Sequence, residues 1–457
     1  MADAGRQLSF RVVAATALAS GLAPLNSTML TVALRPIGAT FHASNAALTR
    51  ALVTSYLVTS IVMQAPCGKI GDRLGHRHAL RLGQLAFGFG AIVAVVSPSL
   101  VWLVIARVAM AAAGALVVPS AMALLRTELP AELRGRAFGV FGAAMALAAA
   151  LGPLIGGQVA FAVGWRAVFA VNLVLLPISF VLAGPTPPKS LMRAPAPQPS
   201  FDFVGTALLA GGLGSLVVGV GRGGVLNLPF LAACPILLAA FVAVERRHPA
   251  PIVDLSLLQR PVFVASGLLI ALQNLAMYAL LFELPTTCGI VLGAETNRTG
   301  GLLVAITAPM VILAPIAGRL TDALGARKIA VLGATFAVLG VGVLLATPLR
   351  SLAAPVPGLI LTGIGIGLSG APAQSAGMSA APADRGGVAA GMMATMRYLG
   401  GVAGTLVLGI LLVQTESPEV ALAAHRKALV VFLVSLVLAT VCALLLPTKE
   451  DRTESSA

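Results

Sequence analysis

Gly68-Lys-Ile-Gly-Asp72-Arg73-Leu-Gly75-His-Arg77 is a charged, glycine-rich segment that recurs further along the chain as Gly318-Arg-Leu-Thr-Asp322-Ala-Leu-Gly325-Ala-Arg327. Gly, Asp, Gly and Arg keep identical internal spacing, and the two copies are offset by 250 residues (322 minus 72). A second pair, Pro130-Ala-Glu-Leu-Arg134-Gly135 and Pro382-Ala-Asp-Arg385-Gly386, repeats at nearly the same offset. Two matches at one offset indicate an internal duplication.

The sequence around these segments is too apolar for a water-soluble fold. Hydrophobic residues make up 58% of the 457 residues and charged residues only 10%, whereas soluble domains carry about 25% charge. The apolar residues fall in blocks of about 20, long enough for a helix to cross a bilayer; examples are Leu100 to Leu125, Val204 to Val220 and Ala428 to Leu446. The blocks lack the alternation of a membrane barrel, so they predict transmembrane helices.

The spacing of the blocks predicts two helices more than a simple duplication of six. Eight blocks separate the paired segments, whereas two six-helix halves would separate them by six. We predict fourteen spans, which begin near residues 11, 46, 78, 100, 135, 165, 202, 227, 261, 300, 328, 352, 387 and 428. The seventh and eighth are the extra pair, because a proline-rich stretch from Pro185 to Pro199 precedes them.

The predicted fold is therefore an all-α integral membrane bundle of two six-helix halves plus two extra central helices. Its divisions are an N-terminal half at 1–184, a proline-rich cytoplasmic linker with two inserted helices at 185–260, a C-terminal half at 261–448 and a cytoplasmic tail at 449–457. Parallel halves with a site near the midplane are the architecture of secondary transporters.

The distribution of charge predicts the orientation. Of the 30 Lys and Arg residues, twenty fall in the segments on the side of the termini and seven on the opposite side. By the positive-inside rule both termini are cytoplasmic, in a multi-pass protein of the plasma (inner) membrane. Lipid headgroups account for the net charge of +14, so we expect no nucleic-acid partner.

The sequence shows no sign of catalysis in water. The four cysteines and five histidines have no metal-ligand spacing, and a P-loop, a cofactor motif and a nucleophile–base arrangement are all missing from the sequence. We therefore predict that the protein is not an enzyme and uses no metal or cofactor.

From about residue 20 to 445, the chain resembles the major facilitator superfamily, and within it the fourteen-span drug:proton antiporter family. The resemblance implies that the duplicated segments form a cytoplasmic gate, whose residues are Gly68, Asp72, Arg73, Gly75, Arg77, Gly318, Asp322, Gly325 and Arg327. We expect the glycines to permit tight turns between helices. Asp72 is expected either at a helix N-terminus or paired with an arginine such as Arg134 or Arg136.

A small-residue segment in the fifth span resembles the family's antiporter motif. It reads Gly152-Pro153-Leu-Ile-Gly156-Gly157, and Ala144, Ala148, Gly152 and Gly156 recur every four residues on one helical face. Such a face allows close packing of backbones, and Pro153 favours a bend. A generic packing helix would show the same spacing, so both interpretations stay open.

Two polar residues in the first half are candidates for the transport pathway. Arg107 lies inside the fourth span, where a buried guanidinium is costly and points to function, although it could also extend toward the interface. Asn26 stands where the family usually has an Asp. Its amide can hydrogen-bond another helix or contact substrate, but it cannot carry a proton.

The ninth span holds the one carboxylate that we place inside the membrane, Glu283, together with Asn274 and Tyr278. A carboxylate in low dielectric binds protons more readily than one in water, which proton coupling requires. Glu283 could instead lie at the outer interface. Arg397 in the thirteenth span also resembles the family pattern, although it could instead extend from the helix end toward the interface.

The predicted function is proton-coupled efflux of a small organic compound, a drug or metabolite, by alternating access. The expected partners are this substrate, protons and the lipid bilayer, and we expect the protein to work as a monomer. The alternatives are a uniporter or proton symporter, and a non-transporting membrane sensor or scaffold that retains the fold. The intramembrane arginines favour neutral or anionic substrates over lipophilic cations.

Overall fold

The computed structural model describes residues 2–43, 48–184, 202–219, 227–248, 251–294, 296–411 and 417–449. The predicted proline-rich stretch and most of the predicted tail lie outside these ranges. The α-helices within them are α1 (Ala2–Phe41), α2 (Ser55–Leu74, preceded by a π-helical turn at Thr49–Thr54), α3 (His76–Val96), α4 (Leu100–Glu128), α5 (Ala131–Ala162), α6 (Trp165–Leu182), α7 (Phe203–Gly219), α8 (Leu228–Glu245), α9 (Pro261–Leu292), α10 (Thr296–Leu324), α11 (Ala326–Ala346), α12 (Val356–Ala380), α13 (Gly386–Leu411) and α14 (Pro418–Leu444).

The described residues form helices and contain no strand, which confirms the predicted all-α class. Among them, eleven helices are long and apolar enough to cross a membrane, and two shorter apolar stretches lie at 167–182 and 203–216. An apolar segment in lipid must satisfy its own backbone hydrogen bonds, and a helix does so internally. The number of fourteen membrane crossings stays a prediction.

The start of the last helix was predicted wrongly. It begins at Pro418, ten residues before the predicted 428. Ser417 caps it, because its side chain accepts a hydrogen bond from the backbone N–H of Val420 at 3.4 Å. Arg426 and Lys427, which suggested a break, lie on the exposed face of the helix.

The duplicated segments, which were predicted to form turns between helices, are mostly helical. Helix α2 continues through Leu74 and α10 through Leu324, and a single glycine separates each from the next helix. Gly75 has φ 81° and Gly325 has φ 89°, a region that side chains with a Cβ rarely adopt. We call the end of the bundle that carries these two glycines the motif end.

Helices α7 and α8 pack against each other and extend the bundle beside α2 and α13. A buried apolar cluster joins them to these helices, and its members are Ile61, Val62, Leu209, Leu213, Phe241 and Val402. This pair therefore lies next to two helices that meet at the motif end.

Candidate functional site

Asp72, in the last turn of α2, binds the first turn of a distant helix. Its carboxylate accepts hydrogen bonds from the backbone N–H groups of Gly387, at 2.7 Å, and Val388, at 2.9 Å. These groups open α13 and have no partner inside their helix. The helix dipole there also favours a negative charge. Of the two predicted arrangements, the structure shows the helix N-terminus for Asp72 and not a pairing with Arg134 or Arg136.

Asp322 repeats this contact in the opposite direction. Its carboxylate accepts from the backbone N–H groups of Gly135, at 2.9 Å, and Arg136, at 3.0 Å, in the second turn of α5. Each aspartate thus binds the helix that follows the second repeated segment of the other half of the chain. We call these four hydrogen bonds the reciprocal aspartate contacts.

Gly68 and Gly318 let the backbones touch beside these contacts, rather than forming turns as predicted. A Cβ on Gly68 would lie 2.1 Å from the carbonyl oxygen of Gly387, and a Cβ on Gly318 would lie 2.2 Å from that of Gly135. Neither position tolerates a side chain without separating the helices. The motif end is therefore closed by direct contact between helices.

Arg77 and Arg327, the last arginines of the duplicated segments, each bind a residue in the same half of the chain. Arg77 forms a bidentate ion pair with Glu128, with Nε to Oε1 at 2.5 Å and Nη2 to Oε2 at 2.6 Å. Arg327 donates from Nε to the carbonyl oxygen of Leu446 at 2.6 Å. Arg73 lies in the last turn of α2, and its side chain is half-buried.

The segment that follows α8 contacts both α2 and the residue just before α13. Lys69 in α2 donates from Nζ to the carbonyl oxygen of Pro251 at 2.5 Å. Asp254 pairs with Arg385, just before α13, and accepts a hydrogen bond from the Ser256 hydroxyl at 2.6 Å. Burial raises the pKa of Asp254, but the hydrogen bonds from Ser256 and Arg385 outweigh it and leave that pKa below its ordinary value.

The glycines of the fifth-span motif pack against α1. A Cβ on Gly152 would lie 1.8 Å from the Thr28 hydroxyl, and a Cβ on Gly156 would lie 2.8 Å from the Cα of Met29. Pro153 lies inside α5. Gly157 differs, because nothing within 4 Å would meet a Cβ there. The small face thus serves close packing of α1 on α5, and its antiporter role stays a prediction.

Arg107 and Asn26 bind each other in the interior. Arg107 is 0% exposed and donates from Nη1 to the amide oxygen of Asn26. Its guanidinium lies 4.0 Å from the centre of the Tyr56 ring, a cation–π contact. Its Nη2 has no hydrogen-bond partner. Arg107 therefore does not extend to an interface, and Asn26 forms an interhelical hydrogen bond.

The three candidates on α9 point to different neighbours. The Asn274 amide donates to the carbonyl oxygen of Ile270 at 2.8 Å, within its own helix. The Tyr278 ring packs on α13, where a Cβ on Gly401 would lie 3.1 Å from it. Glu283 faces α14, so the three side chains do not line one surface.

Glu283 is buried inside the bundle and not at an interface. It is 0% exposed, and its Oε1 lies 2.7 Å from Nδ1 of His425, which is itself 5% exposed. The Thr287 hydroxyl donates to the same oxygen at 2.5 Å. Oε2 has no hydrogen-bond partner. This carboxylate is not isolated, because the imidazole of His425 lies beside it.

This geometry can be compared with known proteins. A family model described as Major Facilitator Superfamily matches residues 16–405. The chain belongs to the major facilitator superfamily. It is 30% identical to the MFS-type transporter YvkA of Bacillus subtilis (strain 168), covering 85% of this chain and 88% of that protein. It is also 30% identical to the tetracenomycin C resistance and export protein of Streptomyces glaucescens, covering 87% of this chain and 75% of that protein.

A solved structure agrees with this fold. The human organic anion transporter MFSD10 (TETRAN) superposes with a TM-score of 0.67 over 94% of this chain and 99% of its own, at 18% identity. At this identity the likeness shows the fold alone.

Membership of the superfamily confirms the resemblance that the motifs indicated, including the likeness to drug-efflux proteins. The protein is a multi-pass membrane protein and a secondary transporter of the superfamily. These findings indicate a transporter rather than an enzyme.

His425 is the residue that sequence reasoning missed. The predicted boundary at 428 placed it in an outer loop, where a histidine carries little information. Ser417-Pro418-Glu419 is a helix-start signal with a capping residue and a proline at the first helical position. From that start, Ala421, Ala424, His425 and Ala428 share a buried face, and this spacing would have placed the imidazole inside the bundle.

Proposed function

We propose that this superfamily member exports a small organic compound from the cytoplasm in exchange for protons, by alternating access across the plasma membrane. In this proposal the termini and the motif end are cytoplasmic, and α1 to α6 and α9 to α14 form two halves separated by the inserted α7 and α8. The names of the relatives that act in resistance and export support the direction of transport.

One observation carries the proton coupling, namely the buried pair of Glu283 and His425. The carboxylate of Glu283 and the imidazole of His425 lie within hydrogen-bond distance between α9 and α14. A carboxylate and an imidazole in contact can hold one proton between them and pass it on when the helices move. The unpartnered oxygen of Glu283 leaves one acceptor for an incoming proton.

The reciprocal aspartate contacts support alternating access. They join helices of the two proposed halves at one end only, so rocking of the halves would break them together. The donors of these four hydrogen bonds are backbone N–H groups.

The test uses purified protein in vesicles that contain a pH-sensitive dye. A panel of organic anions, neutral compounds and cations is loaded on one side, and movement of both compound and protons is recorded. Antiport predicts that an outward substrate gradient drives protons inward. Substrate movement without a pH change indicates a uniporter, and protons moving with substrate indicate a symporter. No transport of any compound would support the scaffold alternative.

Variants then test the pair directly. We expect Glu283→Gln to abolish substrate-driven proton movement while exchange of labelled for unlabelled substrate continues. His425→Gln should reduce proton movement and change its pH dependence. Glu419→Gln is the matched control, because Glu419 is an exposed carboxylate in the first turn of the helix that carries His425. Proton coupling of wild-type strength in Glu283→Gln would refute this role.

A further inference from the structure

All three tyrosines of the chain lie together in the interior. They are Tyr56 on α2, Tyr278 on α9 and Tyr398 on α13, and the chain contains no others. The Tyr398 hydroxyl lies within electrostatic range of the other two. Tyrosines of membrane proteins usually concentrate at the interfaces with water. Here they converge from both proposed halves, as the side chains of a central binding site would.

Two arginines flank this tyrosine cluster, and among the described residues each has only neutral partners. Arg107 contacts the Tyr56 ring and the Asn26 amide, and one of its nitrogens has no partner. Arg397 donates to the side-chain oxygen of Gln374 at 2.6 Å and lies 3.5 Å from the sulfur of Met145. Tyr398 and Tyr278 lie within electrostatic range of Arg397.

No carboxylate in the described residues balances these two charges. The described ion pairs of the chain involve neither Arg107 nor Arg397. Glu283 does not supply the missing charge either, because it is turned toward His425 on α14. A buried guanidinium without a counter-charge is costly and marks a functional site inside a membrane protein.

We propose that the Arg107, Arg397 and tyrosine cluster binds the negatively charged group of an amphipathic aromatic anion, which is the transported substrate. This inference rests on the proposed function and adds the chemical class of its substrate. A guanidinium presents parallel N–H groups that fit a carboxylate in a bidentate manner. The tyrosine rings provide faces for an aromatic body, and their hydroxyls provide further donors.

The two arginines lie in different proposed halves, an arrangement that suits the transport of a bound anion by alternating access. Arg107 comes from the first half and Arg397 from the second, and Arg397 contacts Met145 of α5 across the interface. A substrate bound between them would replace the missing counter-charge for both halves at once. Movement of one half against the other would then change its coordination.

The test measures binding of three compounds of matched shape to the purified full-length protein: 1-naphthoate, 1-naphthamide and 1-naphthylmethylammonium. We expect the carboxylate to bind at least about tenfold more tightly than the neutral amide, the effect of one charged hydrogen-bonded contact. The ammonium should bind more weakly than both.

Variants distinguish the site from nonspecific uptake. Arg397→Gln should remove the preference for the carboxylate, and Arg397→Lys should restore part of it, because the charge returns without the bidentate geometry. Arg350→Gln is the control, since Arg350 is exposed. Tyr278→Phe should weaken binding of the carboxylate and the amide alike. Retained monodisperse elution of each variant shows that it is folded.

Two results would overturn the proposal. Tighter binding of the ammonium than of the carboxylate would refute the anionic class, even if proton-coupled export of cations upheld the proposed function. An unchanged carboxylate preference in both Arg397→Gln and Arg107→Gln would place anion binding elsewhere. Binding of the carboxylate with no transport of any compound would support the site and refute the proposed function.

Discussion

Replacing the aspartates of the reciprocal contacts should open the motif end by a calculable amount. Asp72 accepts one backbone N–H on each carboxylate oxygen, at 2.7 and 2.9 Å. Asp72→Asn keeps the shape but removes the charge, and its NH₂ group faces one of the two donors. A hydrogen bond to a charged group contributes about 1.5–3 kcal/mol. We therefore expect a loss of about 2 kcal/mol from the closed state, or about a 30-fold rise in the ratio of open to closed protein.

The free energy lost at the Asp322 contact should add to that lost at the Asp72 contact. Asp322 makes an equivalent pair of bonds, at 2.9 and 3.0 Å, to a different helix. Separate contacts without shared partners usually add. The double variant Asp72→Asn/Asp322→Asn should then lose about 4 kcal/mol, a shift of nearly a thousandfold in the same ratio.

Spin labels measure this opening. Leu133 in α5 and Leu324 in α10 are 40% and 47% exposed, so labelled cysteines at both positions, in a chain without its native cysteines, report the separation at the motif end. The longer distance should gain population in each single variant and dominate in the double variant. Asp384→Asn is the control, because this neighbouring carboxylate is 79% exposed. A double variant with the wild-type distance distribution and wild-type transport would refute the gate.

Three further substitutions test packing, backbone conformation and the segment after α8. Gly156→Leu should destabilise the fold by about 1–3 kcal/mol through overpacking against α1, whereas Leu154→Ala, at a site that is 61% exposed, should leave unfolding and transport unchanged. Gly75→Ala should cost about 1–3 kcal/mol, because φ is 81°, measured by thermal unfolding. Asp254→Asn should lower the melting temperature by a constant amount at neutral pH. Because the pKa of Asp254 is lowered, its contact with Arg385 stabilises the fold fully at pH values above the ordinary aspartate pKa of about 3.9. The difference in melting temperature between the wild type and Asp254→Asn should vanish only as the pH falls through the lowered pKa of Asp254.

Much of the fold follows from the sequence, because lipid imposes a simple rule. Apolar blocks of sufficient length become helices, and charged or glycine-rich breaks mark their ends. The last helix shows where this rule fails. Arg426 and Lys427 look like a break, yet a helix surface accommodates charges on its exposed face while Ala424 and His425 are buried on the other.

The candidate site was less predictable, because its partners are distant in sequence. Asp72 and Gly387 are 315 residues apart, and Glu283 and His425 are 142 apart. The sequence can nominate a carboxylate in a membrane helix, but it does not say which helix lies beside it. Asn26 illustrates the same limit: its amide was assigned either a substrate contact or an interhelical bond, and the contact with Arg107 supplies the second.

The sequence contains two kinds of repeated segment, and in the structure the first kind binds the second. Each proposed half supplies a carboxylate at the end of its second helix and backbone N–H groups near the start of its fifth, and each carboxylate binds the N–H groups of the other half. A duplication therefore produces two similar contacts, one in each direction between the proposed halves. Because both lie at the motif end, a rigid rocking motion of the proposed halves would break them in the same step, and the closed state would lose at least the roughly 4 kcal/mol that the double variant removes. Breaking one buried ion pair would cost about as much and would leave an unpaired cation. Contacts between carboxylates and backbone N–H groups thus give a closure that can break and re-form, as the proposed transport cycle requires.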